Sequence, residues 1–173
     1  MDAGLTGRFR TPWGEGGITV RHGHLVGVEL PPAVPGAEAG GPDVDLIDRR
    51  ALGRWADELE AYFRGERLAW TEADLSLDEL DAGTFQRAVY SALLTVSPGM
   101  TVSYGTLAEM AGYPRAARAV GNAMAANPVP IVIPCHRVIR SDGNLGDYGT
   151  DPTWKERLLE HERRFAGQGR RDG

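Results

Sequence analysis

The 173-residue chain contains one cysteine, Cys135, followed directly by His136 and Arg137. A thiolate is a strong nucleophile, and an imidazole or guanidinium held beside it favours that form. Neighbours in sequence need not touch in space, and most lone cysteines are small buried hydrophobes. The last amphipathic stretch offers a third group. Trp154, Leu158, Phe165 and either His161 or Glu162 trace one helical face. A carboxylate such as Glu162 is costly on an apolar stripe unless it is paired. Two uses are open to it: reaching water at the edge of the stripe, or orienting His136 in a Cys–His–Glu relay. Residues 115–126, RAARAVGNAMAA, are mostly Ala and Gly. A helix so thin can lie close against another surface. Tight helix packing is the plain use of such a face, but it has no need of the long cation Arg118.

The elements that must carry these residues can be read from periodicity. Ile18 to Arg21 and Leu25 to Val28 flank His22-Gly23-His24 and predict a hairpin. Residues 31–42 are rich in Pro, Gly and Ala and read as a loop. Leu52, Trp55, Leu59, Tyr62 and Phe63 fall on one face of a helix over about 52–64. The acidic, poorly patterned residues 75–82 suggest a boundary, giving domains at 1–80 and 81–173. In the second domain Phe85, Val89, Leu93 and Val96 mark a helix that stops at Pro98-Gly99. Ser103 can cap a short helix closed by Gly112, and a second helix is predicted over 115–126, ended by Asn127-Pro128. Two short helices around a tight glycine turn form a helix-turn-helix pattern. Asp151 and Pro152 predict the start of a last helix. The fold class is therefore α/β: a sheet-plus-helix N-terminal domain, then a mostly helical domain that holds Cys135.

Composition narrows the setting. The chain is 42% hydrophobic and 25% charged, a globular balance. Its apolar runs fall far short of the roughly 20 residues that span a bilayer, so no membrane partner is expected. The opening MDAGLTGRFR lacks an apolar signal core, which predicts a cytoplasmic protein. A single cysteine excludes an intrachain disulfide and a multi-cysteine zinc site. The net charge of −5 is unevenly spread. Residues 83–140 carry Arg87, Arg115, Arg118, Arg137 and Arg140 against the single acid Glu109, whereas the preceding residues are strongly acidic. Such asymmetry suits a face that meets phosphates.

Taken in order, TFQRAVYSALLTVSPG, VSYGTLAEMAG, RAVGNAM, NPVPIVI, PCHRVI, Gly143, Tyr148 and LLEHE resemble the O6-alkylguanine-DNA alkyltransferases. The likeness is nearly continuous from Gly83 to Glu162 and looser in residues 1–80, where TPWG, ITV and HLVGV stand in the expected order. The resemblance implies a ribonuclease H-like N-terminal domain and a winged-helix-like helix-turn-helix domain. It implies single-turnover transfer of an alkyl group from O6-alkylguanine, or O4-alkylthymine, to Cys135. His136 would act as base through a water, Glu162 would hold the imidazole, and Asn127 would brace the turn before the cysteine. Tyr104 would hydrogen-bond the guanine ring, and Arg118 would enter the duplex where the damaged nucleotide leaves. Ala116, Ala117, Ala119 and Gly121 would lie in the minor groove of double-stranded DNA, with Arg115 and Arg137 on phosphates or in the vacated stack. Tyr148, Gly149 and Thr150 would cover the base. The implied protein is a monomer that uses no cofactor and no metal. The alternative in another class is a module that binds alkylated DNA without repairing it; such relatives carry tryptophan in place of the cysteine. One departure concerns the loop: the family has Gly-Gly soon after the tyrosine, and here Thr150-Asp151 follow Gly149, which predicts a narrow pocket suited to methyl rather than bulky adducts.

Overall fold

His22 and Gly23 both adopt positive φ, 51° and 81°, the backbone of the tight hairpin turn whose twist matches its strands. This turn joins β2 (Gly14–Arg21) to β3 (His24–Glu29), as predicted. An additional strand, β1 (Leu5–Thr11), pairs antiparallel with β2, so the sheet order is β1-β2-β3. Ile18 lies opposite Val28 and Val20 opposite Leu25. With Phe9 they form the buried face, over which helix α1 (Trp55–Phe63) lays Trp55, Ala56, Leu59, Tyr62 and Phe63. Gly7 is required here: a Cβ would stand 2.2 Å from Leu52 Cδ1. The helix starts later than predicted because residues 51–54 turn at Gly53, whose φ is 60°.

The computed structural model describes residues 4–32, 49–149 and 151–168. Most of the predicted loop at 31–42 lies outside them. The chain is α/β with a small antiparallel sheet and several helices. It divides into two compact units, Met1–Arg67 and Leu68–Gly173. Residues 68–80, placed by sequence in the first domain, therefore belong to the second unit. The Leu68 carbonyl accepts a hydrogen bond from Arg137, 2.8 Å, which ties this segment to the site below.

The second unit is built from α2 (Thr84–Leu94), α3 (Tyr104–Met110), α4 (Ala117–Ala125) and α5 (Thr153–Gln168). Two short strands, β4 (Val102–Ser103) and β5 (Val138–Ile139), pair in parallel. Ser103 caps α3 as predicted, its Oγ accepting from the Thr106 amide at 3.0 Å. Gly112, at φ 84°, ends that helix and sends the chain toward α4. The second helix of the pair begins at Ala117 rather than Arg115. Arg115 has φ 69°, a left-handed conformation that a helix cannot contain. Val120, Ala123 and Met124 anchor α4 to the core, leaving Arg118, Ala119, Asn122 and Ala125 exposed.

Candidate active site and nucleic-acid interface

The segment between α4 and β5 folds back into the core: residues 131–138 are all buried. Asn127 holds this turn. Its Nδ2 donates to the Ile133 carbonyl at 2.8 Å, and its Oδ1 accepts from the Val129 amide at 3.0 Å. Within the turn Ile131 sits at φ 76°, a conformation that costs a β-branched residue on the order of 1–3 kcal/mol. The strained turn delivers Pro134 to a single helical turn, Cys135–Arg137, on which α5 packs directly.

Cys135 is 7% exposed. Its Sγ donates toward Tyr148 Oη at 3.7 Å, across the glycine-shaped loop that follows β5. Burial pushes the thiol up, and hydrogen bonding with Asn127 and Tyr148 and the charge of Lys155 oppose it. His136 is fully buried, with Nε2 2.7 Å from Glu162 Oε1. Burial pushes the imidazole down despite the carboxylate beside it, so the ring is neutral at physiological pH. Glu162 resists the penalty of burial. His136 and then the Arg137 guanidinium hold its carboxyl well below the usual range, and Oε2 also accepts from the Gly99 amide at 2.9 Å. A carboxylate on Nε2 fixes the tautomer with N–H at Nε2 and a lone pair at Nδ1. Nδ1 is buried and has no hydrogen-bond partner among the described residues. The choice left open on the last helix is thereby decided: Glu162 meets the imidazole, while His161 packs on Phe165 with ring centroids 4.9 Å apart.

Arg137 does not stand among the DNA contacts that the resemblance implies: it is 1% exposed. Its Nε and one Nη reach Glu162 at 3.0 and 2.8 Å, and the guanidinium also donates to the Val96 and Leu68 carbonyls at 2.6 and 2.8 Å. A guanidinium so enclosed has no face left for a phosphate. Its role is to fix the carboxylate that fixes the imidazole.

The remaining expected residues divide into two groups. Tyr104, the first residue of α3, is half-buried, its ring near Gly121 of α4. Ala116, Ala117 and Gly121 are half-buried, Ala119 and Gly149 exposed. Arg115 and Arg118 are exposed at the turn and first residues of α4. Thr150 lies outside the described residues. Two contributors escaped the sequence reading. Gly146, at φ 74°, lets the loop pass close to Arg140 and the Tyr104 hydroxyl, which lie 3.4 and 3.7 Å from where its Cβ would be. Lys155 is 1% exposed, its Nζ 5.8 Å from the centre of the Tyr104 ring. Its signal was available: it precedes Glu162 by seven residues, two turns along the same face of α5. Among the described residues no group of His, Cys, Asp and Glu could hold a metal ion, and no helix is long and apolar enough to cross a membrane.

A soft nucleophile beside a buried imidazole–carboxylate pair, in a unit that also presents a helix-turn-helix, describes a group-transfer protein with a DNA-binding face. Comparison with known proteins agrees. Residues 84–164 match the family described as 6-O-methylguanine DNA methyltransferase, DNA binding domain. The methylated-DNA–protein-cysteine methyltransferase of Mycolicibacterium paratuberculosis is 50% identical over 117 residues, 68% of this chain and 68% of that protein. The solved structure of Mycobacterium tuberculosis OGT in complex with DNA superposes with a TM-score of 0.74 at 35% identity, covering 92% of this chain and 93% of that one. The O6-methylguanine-DNA methyltransferase from the archaeon Pyrococcus kodakaraensis gives 0.65 at 26% identity, over 91% and 97%. The chain belongs to the methylated-DNA–protein-cysteine methyltransferase family.

Proposed function

We propose that this protein repairs double-stranded DNA by taking the alkyl group of O6-alkylguanine onto Cys135 Sγ, one group per molecule. The observation that carries the reading is the buried Glu162–His136 pair, whose unpartnered Nδ1 belongs to the residue next to the thiol. The thiol proton passes to Nδ1 through a water. The sulfur electron pair then forms the S–C bond while the C–O6 bond breaks, its pair moving to O6. The guanine takes up one proton, and Tyr104, hydrogen-bonded to the ring in this reading, is placed to supply it. A thioether has no ready leaving route, so the reaction stops after one transfer.

The base must leave the stack to reach a buried thiol. In this reading α4 enters the minor groove, where sequence is read poorly and any damaged site can be served. Its small exposed side chains permit close approach, Arg118 fills the space the nucleotide leaves, and Arg115 attracts phosphate. Support comes from the exposure of both arginines and from the match to a DNA-binding domain family. The ribonuclease H-like and winged-helix-like descriptions of the two domains belong to the same proposal.

Intact-mass measurement after mixing with excess O6-methylguanine DNA tests it. One added methyl per protein, mapped to the peptide holding Cys135, is expected, and Cys135→Ser should bind the DNA and take no methyl. Sustained turnover, or repaired DNA beside unmodified Cys135, refutes the transfer. Binding of alkylated DNA with no mass change would leave the non-catalytic module.

A further inference from the structure

Lys155 is the buried charge that the relay leaves unused. A lysine is almost never this enclosed unless something pairs with it. Among the described residues no carboxylate forms an ion pair with its ammonium; the contact it makes is with the Tyr104 ring, 5.8 Å to the centroid. Burial and three charged or chargeable groups act on it. Burial lowers its affinity for the proton, the Cys135 sulfur and then Asp147 raise it, and Arg140 opposes them. Asp147 and Arg140 are exposed and opposite in sign, so water screens both and they offset one another. The buried sulfur, once deprotonated, is the remaining anion.

The geometry of α5 gives this a pattern. Lys155 and Glu162 stand two turns apart on one face, about 10 Å along the axis, and that helix packs on the Cys135–Arg137 turn. The anion serves His136, and the cation, on the same helix face, is set against the Tyr104 ring. We propose that Lys155 is a positioning residue for the transfer: its enclosed ammonium, seated against Tyr104, holds the Cys135 sulfur in its anionic form once the proton has gone to His136. The inference rests on the proposed function for its purpose but not for its test.

The groups that bear on the sulfur electrostatically or by hydrogen bonding are Asn127 from the turn, Tyr148 from the loop, Tyr90 from α2, Tyr104 from α3 and Lys155 from α5, with His136 next to it in the chain. Tyr90, pushed up to about 12 by burial and then by Cys135, stays neutral and donates to the Ala123 carbonyl. Tyr104 is likewise pushed up, by burial first. Lys155 is thus the one lasting positive charge in this set.

Because the chain has a single cysteine, iodoacetamide reports Cys135 alone, and being neutral it is not steered by the lysine. The rate of modification is followed from pH 6 to pH 11 in the intact, DNA-free protein. Lys155→Met should move the midpoint up by about one pH unit, a roughly tenfold loss of thiolate at neutral pH, and Lys155→Arg should restore it. A midpoint that stays put in a folded Lys155→Met, or one that Arg fails to restore, overturns the proposal, since packing alone would not follow charge. If Lys155→Met does not fold, the coupling is read from the other side. The Lys155 ammonium, observed by nitrogen NMR, should titrate lower in Cys135→Ser than in the unaltered protein; equal titration overturns the proposal. If the protein transfers no methyl while the midpoint follows the charge at 155, the function fails and this inference stands.

Discussion

Replacing Arg137 by methionine separates a buried brace from a phosphate contact. The substitution keeps most of the apolar stem but removes two bonds to Glu162, at 3.0 and 2.8 Å, and those to the Val96 and Leu68 carbonyls. Breaking a buried ion pair from one side costs about 3–5 kcal/mol, and each carbonyl left unpaired adds about 1–3 kcal/mol unless water reaches it. The lower end of that sum, about 5 kcal/mol, is already a large part of the roughly 5–15 kcal/mol that holds a domain folded. With a denaturant slope of roughly 2 kcal/mol per molar, the urea midpoint of the second unit should fall by at least about 2.5 M. Adding Glu162→Leu should recover part of that loss, because the double variant no longer buries an unpaired charge. Were Arg137 on a phosphate instead, stability would hold within about 0.5 kcal/mol. The slope of log affinity against log salt would then weaken by about 0.9. That pair of results would refute the assignment.

Other consequences follow from the same geometry. Arg115→Gly should stabilise the protein by about 0.5–1 kcal/mol, since left-handed strain is relieved at some cost in chain entropy; in DNA titrations its salt slope should drop by about 0.9 if Arg115 meets a phosphate. Stability should fall on acidification. The folded His136 and Glu162 both bind protons less readily than their unfolded forms, so their contribution is complete at pH 7. It declines below about 6.5 as the unfolded imidazole protonates, and again below about 4.3 with the carboxylate. Thermal melts that are flat or rise between pH 7 and pH 5 would contradict this. Asp151→Ala should cost about 1 kcal/mol in chemical denaturation, because Asp151 Oδ1 accepts from the Thr153 amide and hydroxyl at 2.9 and 2.6 Å at the start of α5.

The sequence alone determined those features that rest on local chemistry. His22-Gly23 demands a tight turn, Ser103 and Gly112 start and stop α3, and the ordered motifs around Cys135 identify the family. The weakly patterned β1 escaped because its only buried apolar side chain is Phe9; its place comes from pairing with β2, which no local signal encodes. Tertiary structure decided the fate of the charges. Arg115, Arg118 and Arg137 are the same residue type within 23 positions, and composition treats them alike. One is strained and exposed, one stands on a helix face, and one is sealed against Glu162. Which arginine meets water depends on whether a carboxylate and free carbonyls converge on it from Val96, Leu68 and α5. Those partners are 25 to 69 residues away along the chain, and burial makes a charge affordable only where such partners meet. The same holds for Lys155, whose spacing from Glu162 was visible while its enclosure was not.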